Sequence, residues 1–78
     1  MAKVSLIEAP AERNLKVIDV QAGKDIRQHL AILGIHINDI IIKQNWAKWG
    51  PVLILNRSNG NSKVAIGRGL ANKIFVEF

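Results

Sequence analysis

The chain has 78 residues, a formal net charge of +5 and an apolar fraction of 49%, which suits one small domain over 1–78 with a single aliphatic core. It holds no cysteine, which excludes a disulfide framework and any thiolate metal site. No stretch approaches the roughly 18 apolar residues of a membrane-spanning helix, and Ser5 and Glu8 interrupt any leader-like apolar run, so the chain reads as soluble and cytoplasmic, peripheral to a membrane at most.

Residues 1–14 are weakly patterned; Leu6 and Ile7 suit an arm tucked against the core, ended by Pro10. Leu15–Val20 (LKVIDV) is rich in β-branched residues and predicts a first strand. Gln21-Ala22-Gly23 is a turn. A helix is expected from Asp25 to Leu33, with the Asp25 carboxylate as N-cap and Gln28 three residues on completing a capping-box pattern. Ile26, Leu30 and Leu33 share one helical face, and Arg27, Gln28 and Ala31 point away from it. Gly34 supplies a left-handed stop, with Ile35 placed to fold back on the last turn. So short a helix is unstable alone and must lie as a lid on something else.

Asn38-Asp39 tolerates a tight left-handed turn. Ile40–Gln44 predicts a second strand, Asn45–Gly50 (NWAKWG) a loop, and Pro51–Asn56 (PVLILN) a third strand. Asn59-Gly60 is a strong hairpin signal. Ser62–Ile66 predicts a fourth strand, 67–72 (GRGLAN) a break with one 3₁₀ turn, and Lys73–Phe78 a fifth strand with Ile74, Val76 and Phe78 on one side. About five short strands and one brief helix give a mostly β chain, curled into a small barrel that is partly open; SH3-like and OB-like barrels both fit this pattern. The third strand is apolar at four consecutive positions, Val52 to Leu55. A half-buried strand would alternate, so one outer face is either covered by the N-terminal arm or left for a partner.

No nucleophile, base and orienting group can be assembled from the residues present, so no catalytic residue is expected and the chain does not read as an enzyme. His29 and His36 are the only histidines and have no ligand spacing; they read as one half-buried and one exposed side chain, not as a metal site, and no cofactor is expected. Any divalent ion, Fe2+ included, would bind weakly. Gly67-Arg68-Gly69 resembles a phosphate loop but lacks its length and its Lys-Ser/Thr ending, so it reads as a kink between strands. The cations are spread almost evenly with acids interspersed, which reads as a solvated surface and not as a nucleic-acid patch. Trp46 and Trp49 flank Lys48 in a loop, and exposed tryptophan beside a cation is typical of binding hot spots. Trp46, Lys48, Trp49 and, on the outer helix face, Arg27 are the candidate partner-binding residues.

Leu30-x-x-Leu33-Gly34-Ile35, Asp39-x-Ile41, Gly50-Pro51-Val52 and Val64-Ala65-Ile66-Gly67-Arg68-Gly69-Leu70-Ala71-x-x-Ile74 occur in this order. In these motifs the chain resembles the FeoA family, small cytoplasmic accessory proteins of bacterial ferrous iron uptake, from about Leu6 to Val76. The resemblance implies an SH3-like barrel and a binding role. It implies a partner too: the cytoplasmic GTP-binding part of the membrane ferrous iron transporter. Ala11, Ala22 and Asn38 stand where the family often has Gly, and the Trp46–Trp49 loop is bulkier than the family norm. The expected function is protein–protein interaction in ferrous iron transport, as a monomer or weak homodimer. The alternative is a freestanding basic barrel, related to repressor domains, that binds nucleic acid or another protein; nucleic acid is the less expected partner, because no aromatic-lined basic groove is evident.

Overall fold

The computed structural model describes residues 3–44 and 50–78. Six strands, β1 (Lys3–Ser5), β2 (Asn14–Val20), β3 (Ile40–Lys43), β4 (Val52–Asn56), β5 (Ser62–Ile66) and β6 (Ile74–Glu77), alternate with helix α1 (Lys24–Ile32) and a single helical turn, α2 (Arg68–Ala71). They form one antiparallel sheet in the order β1-β6-β2-β3-β4-β5. The sheet curls without closing: β1 and β5 end the order and do not pair with each other.

The mostly β expectation holds, with one more strand than predicted. That strand is β1 in the N-terminal arm, where Val4 faces Val76 and Lys3 faces Glu77. Its three residues carry no periodic signal of their own; pairing with the other end of the chain makes them a strand. Leu6 is fully buried, as expected of the arm. The arm is held by Lys43, whose Nζ donates to the carbonyls of Ile7 (2.8 Å) and Ala9 (3.0 Å), while Glu12 N–H donates to the Lys43 carbonyl. Burial, and second to it the Arg68 charge, holds the Lys43 pKa below its ordinary 10.5. The folded chain therefore releases this proton before the unfolded chain does. Between the lowered value and 10.5 the unfolded state binds more protons, so the stability contribution rises with pH across that window and is lowest below it. Lys43→Met strands two carbonyls, and each buried unsatisfied group costs about 1–3 kcal/mol. Urea unfolding should show a lower midpoint for the variant and no alkaline rise; a midpoint matching wild type would mean that the arm is held by packing alone.

Inward residues of β2 switch parity, from Leu15 and Val17 to Val20, all buried. The register explains it: Val17 pairs with Val76 and Asp19 with Phe75, so the sheet skips at Ile18. Ile18 is the extra residue of a β-bulge, which bends the strand and increases its twist. The inner face is filled by Leu15, Val17, Ile41, Val52, Ile54, Ile66, Ile74 and Val76, with Leu30 of α1 and Ala71 of α2 packed on them. Along β4 the apolar run alternates after all: Val52, Ile54 and Asn56 are buried, whereas Leu53 is 44% exposed. The outer face of β4 is thus not covered by the arm.

Three local expectations are corrected. The N-cap of α1 is Gly23, extended and without a side-chain cap, so Lys24 is the first helical residue and the Asp25 capping box does not form. Asp25 sits in the first turn, where its charge favours the helix dipole. In the β4–β5 hairpin the left-handed pair is Gly60-Asn61 (φ 61° and 59°), one residue later than the Asn59-Gly60 signal. Ser62 N–H donates to the Asn59 carbonyl across it, the pattern of a type I′ turn. Finally, 68–71 forms one α-helical turn instead of a 3₁₀ turn.

Candidate functional site

The end of α1 and the bulge in β2 together make a cleft. Leu33 ends the helix, Gly34 follows at φ 85°, and Ile35 folds back. Gly34 N–H donates to the Ala31 carbonyl and Ile35 N–H to the Leu30 carbonyl. These are the two bonds of a Schellman motif. Ile35 is thereby buried beside Leu30, and the chain leaves the helix toward His36 and Ile37. Across from them, the bulge swings Ile18 and Asp19 out of the normal alternation. The resulting cleft has a volume of about 330 Å³ and an apolar floor that includes Ile18, Val20, Leu30 and Ile35.

Polar groups stand at its rim. Arg27 Nη2 donates to the Val20 carbonyl at 3.1 Å, which lays the guanidinium across the mouth. Asp19 Oδ1 accepts from Val20 N–H at 2.8 Å. His36 is 59% exposed at the far end, with Nδ1 3.4 Å from Asp39 Oδ2. Ile37 lines the cleft at 49% exposure, and Ile32 lies on the outer side of α1 at 82%. An aliphatic floor with a few oriented polar groups suits a side-chain-sized apolar ligand group.

A buried polar cluster fixes this geometry from behind. Asn56, 1% exposed, donates through Nδ2 to the Gly34 carbonyl (2.8 Å) and to Asp39 Oδ2 (2.9 Å). Its Oδ1 accepts from Ser58 N–H at 3.0 Å. Asp39 Oδ2 also accepts His36 N–H at 2.9 Å, and Ser58 Oγ accepts Ile40 N–H at 2.9 Å. One asparagine thus ties the helix stop, the Asn38-Asp39 turn and the β4–β5 hairpin together.

The sequence-predicted residues are placed unevenly by the structure. Arg27 is at the cleft, while Trp46, Lys48 and Trp49 lie outside the described residues. His29 is exposed on α1, not half-buried as expected, and no group of three or more His, Cys, Asp or Glu side chains is gathered among the described residues. Lys3 Nζ stands 5.6 Å from the ring centre of Phe75 and Arg13 5.0 Å from that of Phe78, so each phenylalanine ring has one of the chain's own cations over it. Among the described residues no helix is long and apolar enough to cross a membrane. Sequence reasoning missed Ile18, Asp19 and Ile37 as cleft residues. Ile37 offered a signal, a large apolar residue beside the Asn38-Asp39 turn; Ile18 offered none, because nothing in LKVIDV marks a bulge.

This arrangement of sheet, capped lid helix and terminal strand is a known one. The FeoA domain family model matches residues 4–78. The chain belongs to the FeoA family. It is 44% identical over 61 residues to the "Putative Fe(2+) transport protein A" of Methanocaldococcus jannaschii, covering 74% of this chain and 66% of that relative. The match therefore spans just under two thirds of the relative's length. Among solved structures, the crystal structure of an iron uptake regulatory protein, FeoA, superposes with a TM-score of 0.83 at 26% identity, over 99% of this chain and 97% of the other. The NMR structure of a FeoA-like protein from Clostridium acetobutylicum gives 0.78 at 20% identity, over 99% and 87%, and supports the SH3-like fold alone.

Proposed function

We propose that the chain is a cytoplasmic accessory and regulatory protein of ferrous iron uptake, acting without catalysis by binding the GTP-binding part of a membrane ferrous iron transporter. FeoA membership and the name of the archaeal relative support the iron-uptake setting. The observation that carries the binding role is the α1–β2 cleft: an apolar floor, exposed Ile37 and a guanidinium held across the mouth. An apolar side chain of the partner would enter the floor, and a carboxylate beside it would pair with Arg27. The Trp46, Lys48 and Trp49 loop enters the same reading from the sequence, as a second contact on the same partner.

The test is a pull-down of the transporter's cytoplasmic domain. Ile37→Asp puts a charge in the apolar mouth and Arg27→Glu reverses the rim charge, and truncating or reversing an interface anchor typically costs about 2 kcal/mol or more of binding. Both positions are solvent-exposed or rim residues, so thermal stability should stay close to wild type. Trp46→Ala and Trp49→Ala should weaken capture as well. Failure of the wild-type chain to associate at low salt would sink the proposal. Undiminished capture by Ile37→Asp and Arg27→Glu would move the contact away from the cleft.

A further inference from the structure

The cations are evenly spaced along the chain, but the acids are not. Residues 1–39 hold five Lys or Arg and five Asp or Glu, whereas residues 40–78 hold six Lys or Arg and one acid, Glu77. The whole net charge of +5 therefore belongs to the second half. Glu77 is on β6, four strands away from β5 in the sheet order. β4, β5 and the hairpin between them carry Arg57 and Lys63 and no acid, and Arg68 lies just past Gly67 at the end of β5.

This basic half ends in an open sheet edge. Gln44 N–H donates to the Leu53 carbonyl at 2.8 Å and Arg57 N–H to the Ile40 carbonyl at 2.9 Å, so the odd residues of β4 turn their backbone groups toward β3. The even ones, Val52, Ile54 and Asn56, turn toward β5, opposite Ile66, Val64 and Ser62. In an antiparallel ladder the direction alternates by residue. The backbone N–H and C=O of Lys63 and Ala65 therefore point out of the sheet, and among the described residues β5 has no strand on that side. Beside them a groove of about 250 Å³ is lined by Gln44, Leu53, Ile54, Lys63, Val64 and Ala65. An edge with unpaired amides, an adjoining apolar groove and uniform positive charge is a template for one more strand.

We propose that β5 accepts an acidic, extended segment of a partner protein as a seventh strand, paired through Lys63 and Ala65. Charge selects the occupant. A second copy of this chain would bring its own positive half against this one. Single-stranded nucleic acid would find no stacking platform, because β4, β5 and their hairpin contain no aromatic residue. Acidic side chains of an added strand would fall beside Lys63, with Arg57 near the hairpin end, while its backbone closes the two open amides. This surface is separate from the α1–β2 cleft, so it stands or falls independently of the reading of that cleft.

The probe is a fluorescent eight-residue peptide of alternating glutamate and valine, titrated into the full chain. The comparison peptide has the same charge but a central Val-Glu-Val replaced by Pro-Glu-Pro, which removes backbone donors. Amide exchange by NMR should show the Lys63 and Ala65 N–H groups slowing at least about tenfold on saturation with the first peptide. Lys63→Glu, an exposed substitution that leaves the fold intact, should weaken the affinity by about tenfold or more. The proposal is overturned if both peptides bind alike, if the Lys63 and Ala65 amides stay unprotected at saturation, or if oligo-deoxythymidine or self-association protects them in the peptide's place.

Discussion

Replacing Asn56 with alanine is expected to cost about 2–4 kcal/mol of folding stability, because it removes three hydrogen bonds and leaves buried acceptors and donors unpaired at about 1–3 kcal/mol each. The Gly34 carbonyl loses its 2.8 Å donor, Asp39 Oδ2 loses an amide donor at 2.9 Å, and the Ser58 N–H loses its acceptor. Gly34 and Asp39 are only partly exposed, so water replaces the side chain poorly there; Ser58 is exposed and recovers most of its loss. Against the 5–15 kcal/mol typical of a whole domain, roughly a third could disappear with one side chain. Ser58→Ala is the control. It deletes a single acceptor for Ile40 N–H at an exposed position and should cost less than about 1 kcal/mol, as surface substitutions usually do. Denaturant titration of both variants decides the matter. If Asn56→Ala lost no more than Ser58→Ala, the asparagine would be a passenger and the cleft would be shaped by packing.

The same residue marks where sequence reading ran out. Asn at the end of PVLILN reads simply as the last residue of the third strand. Its actual work is to bond two segments that lie some twenty residues earlier in the chain, and no local rule connects them. β1 is similar: Lys3–Ser5 becomes a strand because β6 is there to pair with it. The bulge at Ile18 is a third case, decided by the need to bring both Val17 and Val20 inward. What was legible was local. Gly34-Ile35 announced the helix stop, β-branched runs located β2 to β6 within a residue or two, and Leu30 was placed on the buried face of α1. The cleft was partly legible: Arg27 was chosen for its outward position, and the apolar residues it overhangs come from three separated segments.

Gly34 joins the legible and the illegible in one position, and its substitution is the second large effect expected. The local argument is conformational. At φ 85° any β-branched side chain is strained, at about 1–3 kcal/mol for a residue held in the left-handed region. The tertiary argument is steric: a Cβ at this position would run into Nδ2 of Asn59, which approaches the Gly34 carbonyl from the hairpin. Asn59 is exposed and its amide is the free end of a flexible side chain, so it can move aside at modest cost. Gly34→Val should therefore destabilise by about 2–4 kcal/mol, most of it backbone strain. The two terms separate in a double-mutant cycle. Asn59→Ala alone removes only a long, 3.5 Å contact and should be nearly silent. In the Gly34→Val background it should restore about 0.5–1 kcal/mol, the size of coupling expected between residues in contact. Restoration of the full loss would make the clash dominant and the left-handed backbone unimportant. No restoration would leave strain as the whole effect. In Gly34→Val, with or without Asn59→Ala, the Schellman turn that buries Ile35 is loosened, so the floor of the cleft should suffer with stability. Partner capture by Gly34→Val should then fall further than the fraction unfolded alone accounts for, whereas Lys43→Met, which frees the distant N-terminal arm, should bind in proportion to its folded fraction.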